Sequence, residues 1–490
     1  MLRSIVSRRI WVGRAGAVIS LRVAVTIALL LALVVAVSIA PVLPGGPVHA
    51  DTTFTVDRSD DPDLIETPTA DDCTAATAND CSLRGAINAA NNTSGEDTIN
   101  FAIPEDPSDP SDDLKTILVD GTADPTSSTK LPDITEAVTI DGYTQSGAEE
   151  NDIPVARDGT SANLLIELNG ANAAINGLTI NAPDVVVRGL VINRFGGTGI
   201  FISGDGSDAV IGGNFIGTDP SGTQAQGNNT GVAAFGGGAN FIGGREAAAH
   251  NLISGNFHGL VIASNAGNTI QGNLIGTNKD GTATPNNLGN TIEGVGIGSS
   301  NNIVGSAAGD NDLDSNLIAF NGDEGIRIGG GTGNRILNNR IHSNGRLGID
   351  LITENTSGVT GNDGRAMDRD TGANNLQNFP AISSAKTEGT TTTIKGRLRS
   401  TPRKHFIIQL FSSPQKDPSG FGEGKEFMGE RRVTTNREGL GAFTFRTGAI
   451  TGAFATATAT RLVPDPSNPT ILLPTNTSEF SAAKKVTLAP

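Results

Sequence analysis

Aromatic residues are scarce. Phe, Trp and Tyr make up 4% of the 490 residues, with one Trp (Trp11) and one Tyr (Tyr143). Tight carbohydrate sites stack sugars on flat rings, so the shortage argues against a compact glycan-binding module. Cysteine is down to two, Cys73 and Cys81, which excludes a disulfide-rich scaffold and a Cys-rich metal domain. Positive charge is short as well: 35 Lys and Arg stand against 51 Asp and Glu, a formal charge of −16. Phosphates would be repelled, so the reading is no nucleic acid. A polyanionic sugar would need a bridging divalent cation. Glycine is in excess, 63 residues, nearly double the usual ~7%. No three-residue period runs through them, which rules out collagen. Apolar residues recur in order along most of the chain, which rules out plain disorder.

Residues 1–50 hold five arginines and no acid, then an uncharged, mostly apolar run from Val23 to Ala40. Val48-His49-Ala50 offers a small-residue cleavage pattern, so a signal peptide is expected over 1–50 and a secreted or cell-surface location follows. The alternative is an uncleaved anchor, because the run nearly suffices to span a membrane. Without this segment, 30 basic residues face 51 acids, about −21. In an oxidising compartment Cys73 and Cys81 are expected to form one disulfide, closing a short loop worth roughly 2.5 kcal/mol. A metal site is the weaker alternative, with no His or third Cys nearby. After Cys81, Leu83, Ile87 and Ala90 fall on one helical face, with Ser82 as N-cap.

The stretch from Phe54-Thr-Val56-Asp57 through Cys81-Ser-Leu-Arg-Gly-Ala-Ile87 to Asp97-Thr-Ile99 resembles the CSLREA-type N-terminal domain. That domain heads many secreted bacterial right-handed β-helix proteins of the pectin-lyase-like fold. The family's Glu is Gly85 here, which removes the reciprocal partner of the capping serine. The resemblance implies a β-helix downstream and no general enzymatic role.

Three short apolar strands recur per unit. The first is seen at Leu190-Val-Ile192, Asn214-Phe-Ile216, Asn251-Leu-Ile253, Asn273-Leu-Ile275, Asn316-Leu-Ile318 and Asn339-Arg-Ile341. The second starts at Gly199, Gly231, Gly259, Gly294, Gly325 and Gly348; the third is seen at Ala209-Val-Ile211, Asn240-Phe-Ile242, Asn268-Thr-Ile270, Asn301-Asn-Ile303 and Asn334-Arg-Ile336. The shortest unit, Asn251 to Gly272, has 22 residues. That suits one turn of a parallel β-helix rising about 4.8 Å, with isoleucines in internal columns that no single turn could bury alone. Asparagine tolerates left-handed turns, and its amide can bond to the same residue one turn above. The expected fold is all-β: a right-handed parallel β-helix with an N-terminal helical and disulfide cap and a C-terminal β-sandwich. The expected boundaries are 1–50 for the export segment, 51–110 for the cap, 111–375 for the coil and 376–490 for the sandwich, whose strands alternate with period two.

Aligning the second strands gives one outward column: Phe201, Ala233, Val261, Gly296, Arg327, Asp350. Its apolar first part is expected to be covered by a loop or by the C-terminal domain. Its last part stacks Arg327 on Asp350 and aligns Asp323 with Arg346, with His342 as a third basic group. These five are the weak catalytic candidates, and rung-to-rung salt bridges are the plainer reading. No Asp pair, Gly-His-Gly or Arg-x-Lys set of the polygalacturonase type is recognisable, and His250 and His342 read as surface-turn residues. Asp363, Asp368, Asp370 and Asn374 form an acidic loop with oxygen donors suited to calcium, without the closing Glu of a full calcium loop. The leading expectation is an exported, non-catalytic rod in surface structure or adhesion, with a cell-surface or extracellular polymer as partner. Its rivals are a polysaccharide lyase or glycoside hydrolase with a calcium-assisted site, and a calcium-dependent binding module. Oligomeric state is left open.

Overall fold

The computed structural model describes residues 51–61, 73, 80–105, 113–119, 130–263, 266–283, 288–306, 312–353, 357–363, 368, 370–450 and 453–489. The expected export segment lies outside the described residues. No described helix is long and apolar enough to cross a membrane.

From Ile166 onward each turn of the coil visits three parallel sheets in the same order. In the shortest turn, Leu252–Ile253 lies in sheet B, His258–Ile262 in sheet C and Thr269–Gln271 in sheet A, and Leu274–Ile275 then returns to sheet B. Among the described residues sheet A has nine strands, sheet B eight and sheet C seven. The result is a right-handed parallel β-helix. Register is set by the isoleucines: Ile253 pairs with Ile275 and Ile275 with Ile318. All three are fully buried in one apolar cluster that runs from Phe54 to Phe480. Branched side chains fit a pleated surface packed on both neighbours, and burying each contributes about 1.5–3 kcal/mol.

The N-terminal strand Thr53–Val56 opens sheet A and pairs in parallel with Asp97–Phe101. The helix Leu83–Asn92 buries Leu83, Ala86, Ile87 and Ala90 against this end of the core. Ser82 caps it, its hydroxyl accepting from Gly85 N at 3.1 Å. Cys73 and Cys81 form a disulfide, and Arg84 pairs with Asp61 at 2.6 Å.

Three asparagine ladders follow the corners. One runs Asn214, Asn251, Asn273, Asn316, Asn339; a second Asn228, Asn256, Asn290, Asn321, Asn344; a third Asn240, Asn268, Asn302, Asn334, Asn374. Along the first, Asn273 donates through its amide to Asn316 Oδ1 at 2.9 Å, and Asn251 donates to Asn273 Oδ1 at 2.9 Å. The third ladder uses Asn302; Asn301, which heads the sequence repeat at that turn, adopts a left-handed φ of 61° instead.

The C-terminal region forms two antiparallel-based sheets around a separate apolar core that includes Ile394, Phe406, Ile408, Phe443 and Ala457. Its strand His405–Ser413 sends Phe411 into the coil's own core, where Phe480 joins it at 5.3 Å between ring centroids. Polar groups complete the seal. Glu423 accepts from Asn344 N at 3.1 Å and from its amide at 2.9 Å, ending the second ladder. Glu479 accepts from Leu351 N at 3.1 Å and Thr360 N at 3.0 Å. A β-helix end leaves unpaired N–H groups, and burying one without an acceptor costs about 1–3 kcal/mol; the sandwich supplies the acceptors.

Candidate functional site on the outer face of sheet C

Sheets B and C present different outer faces. On sheet B, Val191, Phe215, Leu252 and Leu274 form an outward apolar stripe covered by Ala156 and Leu164, with Tyr143 and Ala162 packed against it. Tyr143 holds the cover down, its hydroxyl donating to Gly213 O at 2.8 Å. On sheet C, Ala233 is buried and Phe201 and Val261 are half-buried, while rings just beyond the strand ends stay exposed. Phe235 is 48% exposed and Phe257 45%. Phe201 and Phe235 meet edge to face at 5.6 Å, and Phe257 meets His258 in the same way at 4.8 Å.

The outward column reads as aligned from sequence. Phe201 pairs with Ala233, Ala233 with Val261, Val261 with Gly296, Gly296 with Arg327 and Arg327 with Asp350. A flanking column leads to His258, Glu293 and Glu324, because Gly259 N bonds to Glu293 O and Gly294 N to Glu324 O. His258 Nδ1 lies 2.9 Å from Glu293 Oε1. A Cβ on Gly296 would stand 3.0 Å from that same oxygen, so the glycine makes room for the Glu293 carboxyl. Glu293 and Glu324 were invisible to the column alignment because each sits one residue before the repeat glycine, where other turns carry Thr198, Thr230 or Leu347.

At the C-terminal end a cleft of about 290 Å³ is lined by Glu324, Arg346, Asp350 and residues 357–359, among others. Asp350 is fully buried; its Oδ2 accepts from Gly358 N at 2.9 Å, and its carboxyl faces that of Glu324. Burial raises its pKa to about 6; the Gly358 bond and Arg327 pull it down, and the Glu324 carboxyl pushes it up. Burial also raises Glu324. Two adjacent carboxyls in a dry site share one proton more readily than they hold two charges. Asp323 and Arg346 form an ion pair at 3.1 Å, and Arg346 also donates to Ser357 Oγ at 2.9 Å.

His342 is placed elsewhere. It lies on Arg340–His342 of sheet B, its ring edge-on to Phe320 at 5.5 Å, lining a separate cleft of about 630 Å³ with Arg340 and Lys425. It is buried, as is His250, so neither is a surface-turn residue. Burial lowers both to about 4, with Lys425 and Arg340 adding to the effect at His342. Both rings are neutral at pH 7.

The acidic loop is divided. Asn374 ends the third ladder, fully buried, donating to Asn334 O at 2.8 Å and Thr477 O at 3.0 Å. Asp363 accepts from the Asn378 amide at 2.7 Å, and Asp368 accepts from Ser400 and from Gln377 at 3.3 Å. Burial raises Asp368, and Asp363 and Asp370 raise it further, so the three carboxylates share one neighbourhood. Among the described residues, no group of three or more His, Cys, Asp or Glu is placed to hold a metal ion.

Residues 243–363 match the family model described as "Periplasmic copper-binding protein (NosD)". Copper favours imidazole and sulfur donors. The matched segment has no Cys or Met, and its histidines, His250, His258 and His342, are dispersed. The residues present therefore do not fit a copper site. Comparison with curated proteins finds no match. Among solved structures, the A-module of Azotobacter vinelandii mannuronan C-5 epimerase AlgE4 is 13% identical, covering 55% of this chain and 68% of that one at a TM-score of 0.35. ORF18 of Geobacillus virus E2 is 13% identical, covering 86% and 78% at 0.28. The Dettilon tailspike protein (gp208) is 10% identical, covering 75% and 89% at 0.23.

Proposed function

We propose that the chain is an exported, CSLREA-headed β-helix rod acting in surface structure or adhesion, with the outer face of sheet C laid against an extracellular polymer. In this reading residues 1–50 direct export, or anchor the chain where they stay uncleaved. Residues 51–110 cap the coil of 111–375, and 376–490 form the sandwich. The observation that carries the reading is the contrast between the two outer faces: sheet B is roofed, while sheet C keeps Phe235 and Phe257 about half exposed. In a chain so poor in rings, exposed phenylalanines flanking sheet C, with Phe241 similarly exposed on sheet A, mark contact surface. The disulfide suits an oxidising compartment, and the periplasmic name of the matched family agrees with export.

A polysaccharide lyase or glycoside hydrolase is the second reading, favoured by the Glu324–Asp350 pair in its cleft. One experiment addresses both. The purified protein is incubated with insoluble envelope polymers, with calcium or with chelator, and the pellet, the supernatant and newly formed chain ends are measured. The expected result is depletion from the supernatant, at least tenfold weaker in Phe235→Ala, with no new chain ends. Protein remaining in the supernatant under both conditions contradicts the adhesive reading. New chain ends that vanish in Asp350→Asn establish the enzymatic one, and depletion that needs calcium establishes the calcium-dependent module.

A further inference from the structure

We propose that the outer face of the four-stranded sheet in the C-terminal sandwich docks a linear phosphodiester polymer. This contact is separate from the one on sheet C. The whole-chain charge conceals it. Residues 376–490 hold 15 Lys and Arg against 8 Asp and Glu, a formal charge of +7, while residues 51–375 hold 15 against 43, or −28. Two of the eight acids, Glu423 and Glu479, are buried at the seal with the coil, so the surface of the sandwich is more basic still.

The sheet gathers cations on one side. Its strands are Ala381–Glu388, Thr391–Arg399, Leu440–Gly448 and Thr487–Leu488. Ile394, Gly396 and Leu398 are buried, so Lys395, Arg397 and Arg399 alternate with them on the outward side. Register adds Lys386 and Arg446, which both pair with Thr393. Among the described residues none of these five cations forms an ion pair. One acid, Glu388, stands at the hairpin end opposite Thr391. Lys395 lies between Ser384 and Thr444, and Arg397 between Ala381 and Ala442. Alternate residues on a strand are about 6.8 Å apart, so the charges form a row with hydroxyls beside them. Phosphate oxygens are contacted by this combination of Arg, Lys, Ser and Thr. Phe443 and Phe445 point inward, and these strands present no ring outward. Single-stranded nucleic acid is held by stacking its bases on rings, so the face suits a polymer without bases. Such a polyanion attracts the sandwich and repels the coil, which fixes the end by which the molecule attaches.

The test is fluorescence anisotropy of an end-labelled glycerol-phosphodiester oligomer titrated with the full chain. Binding is expected, and it should fall at least tenfold between ~50 and ~200 mM salt. Lys395→Glu/Arg397→Glu should weaken it at least tenfold. Lys416→Glu/Lys425→Glu makes the same change in net charge at exposed residues beside the cleft of Ser343 and Asn344, and should stay within about twofold of the parent. Phe235→Ala should leave binding unchanged, so this contact and the adhesive reading fail separately. No binding at the lowest salt overturns the proposal, and equal loss in the two double variants removes the face as the site. An oligothymidylate of equal charge that binds as tightly would make the surface one for nucleic acid. Polygalacturonate that binds more tightly would make the ligand a carboxylate polymer. Sedimentation with phosphatidylglycerol vesicles that the oligomer does not displace would make the occupant a membrane. Each of these three results overturns the phosphodiester assignment.

Discussion

Replacing Asn273 by Ala should destabilise the coil by about 3 kcal/mol or more. Asn273 is fully buried and sits mid-ladder. Its amide donates to Asn316 Oδ1, Ile242 O and Gln271 O, each at 2.9 Å, and its Oδ1 accepts from Asn251. Alanine leaves the buried Asn251 amide short of its acceptor and removes a donor from Ile242 O and Gln271 O, while Asn316 Oδ1 keeps the Asn273 backbone N–H at 3.0 Å and Gln271 O keeps Gly244 N at 2.9 Å. A buried polar network is costly when only part of it is satisfied. Asn229, one residue beyond the ladder position Asn228 and exposed, is the matched control: Asn229→Ala should fall within ~0.5 kcal/mol of the parent. Urea denaturation followed by far-UV circular dichroism reads both. Equal, small effects would mean that the ladders are incidental to a coil held by isoleucine alone.

Stability should fall as pH rises from about 6.5 to about 8.5, above the interval in which the buried His250 and His342, lowered to about 4, add stability with rising pH. The groups responsible are Glu423 and Glu479, at the seal between coil and sandwich. Burial raises Glu423 to about 7, against the pull of its bonds to Asn344 and Ser343; the charge of Asp417 adds to the rise. Burial raises Glu479 to about 8, opposed by its bonds to Leu351 and Thr360 and assisted by Asp350. Between the ordinary carboxyl pKa near 4.5 and these values, the folded state holds protons that the unfolded state releases. Stabilisation is therefore fully present below about 4.5 and is lost as pH climbs through 7 and 8. A tenfold change in an acidity constant corresponds to ~1.4 kcal/mol, so the combined loss is of the order of a few kcal/mol. Denaturation midpoints at pH 6.5 and pH 8.5 should differ clearly in the parent and far less in Glu423→Gln/Glu479→Gln. A midpoint that rises over this interval would contradict the assignment.

Much of the coil was legible in the residues, for a physical reason. Its strands are two to five residues long and repeat the same inward isoleucine, so stacking had to place Ile253, Ile275 and Ile318 in one file. The first and third ladders showed because their asparagines directly precede the strand. The second did not, because its asparagines stand three residues before the repeat glycine at Asn228 and Asn256 but four before it at Asn290, Asn321 and Asn344. The Arg327–Asp350 stack followed from register alone. The cover over sheet B did not, because cover is decided by where inserted segments fold, and Ala156 and Leu164 lie far from that stripe in sequence. Glu423 and Glu479 look like surface acids in sequence. Only the arrival of the sandwich at the coil's last turn makes them buried acceptors.

The central claim is that the chain winds around one axis with each turn stacked on the last. It is tested most directly by double electron–electron resonance between spin labels at positions in the outward column. The native cysteines are paired with each other and leave introduced thiols free to label. Phe201 and Arg327 stand four rungs apart and Thr179 and Arg327 five, which gives separations of about 19 and 24 Å along the axis. Two narrow distributions differing by about one rung are the expected result; broad distributions, or distances that do not lengthen by that step, would contradict it.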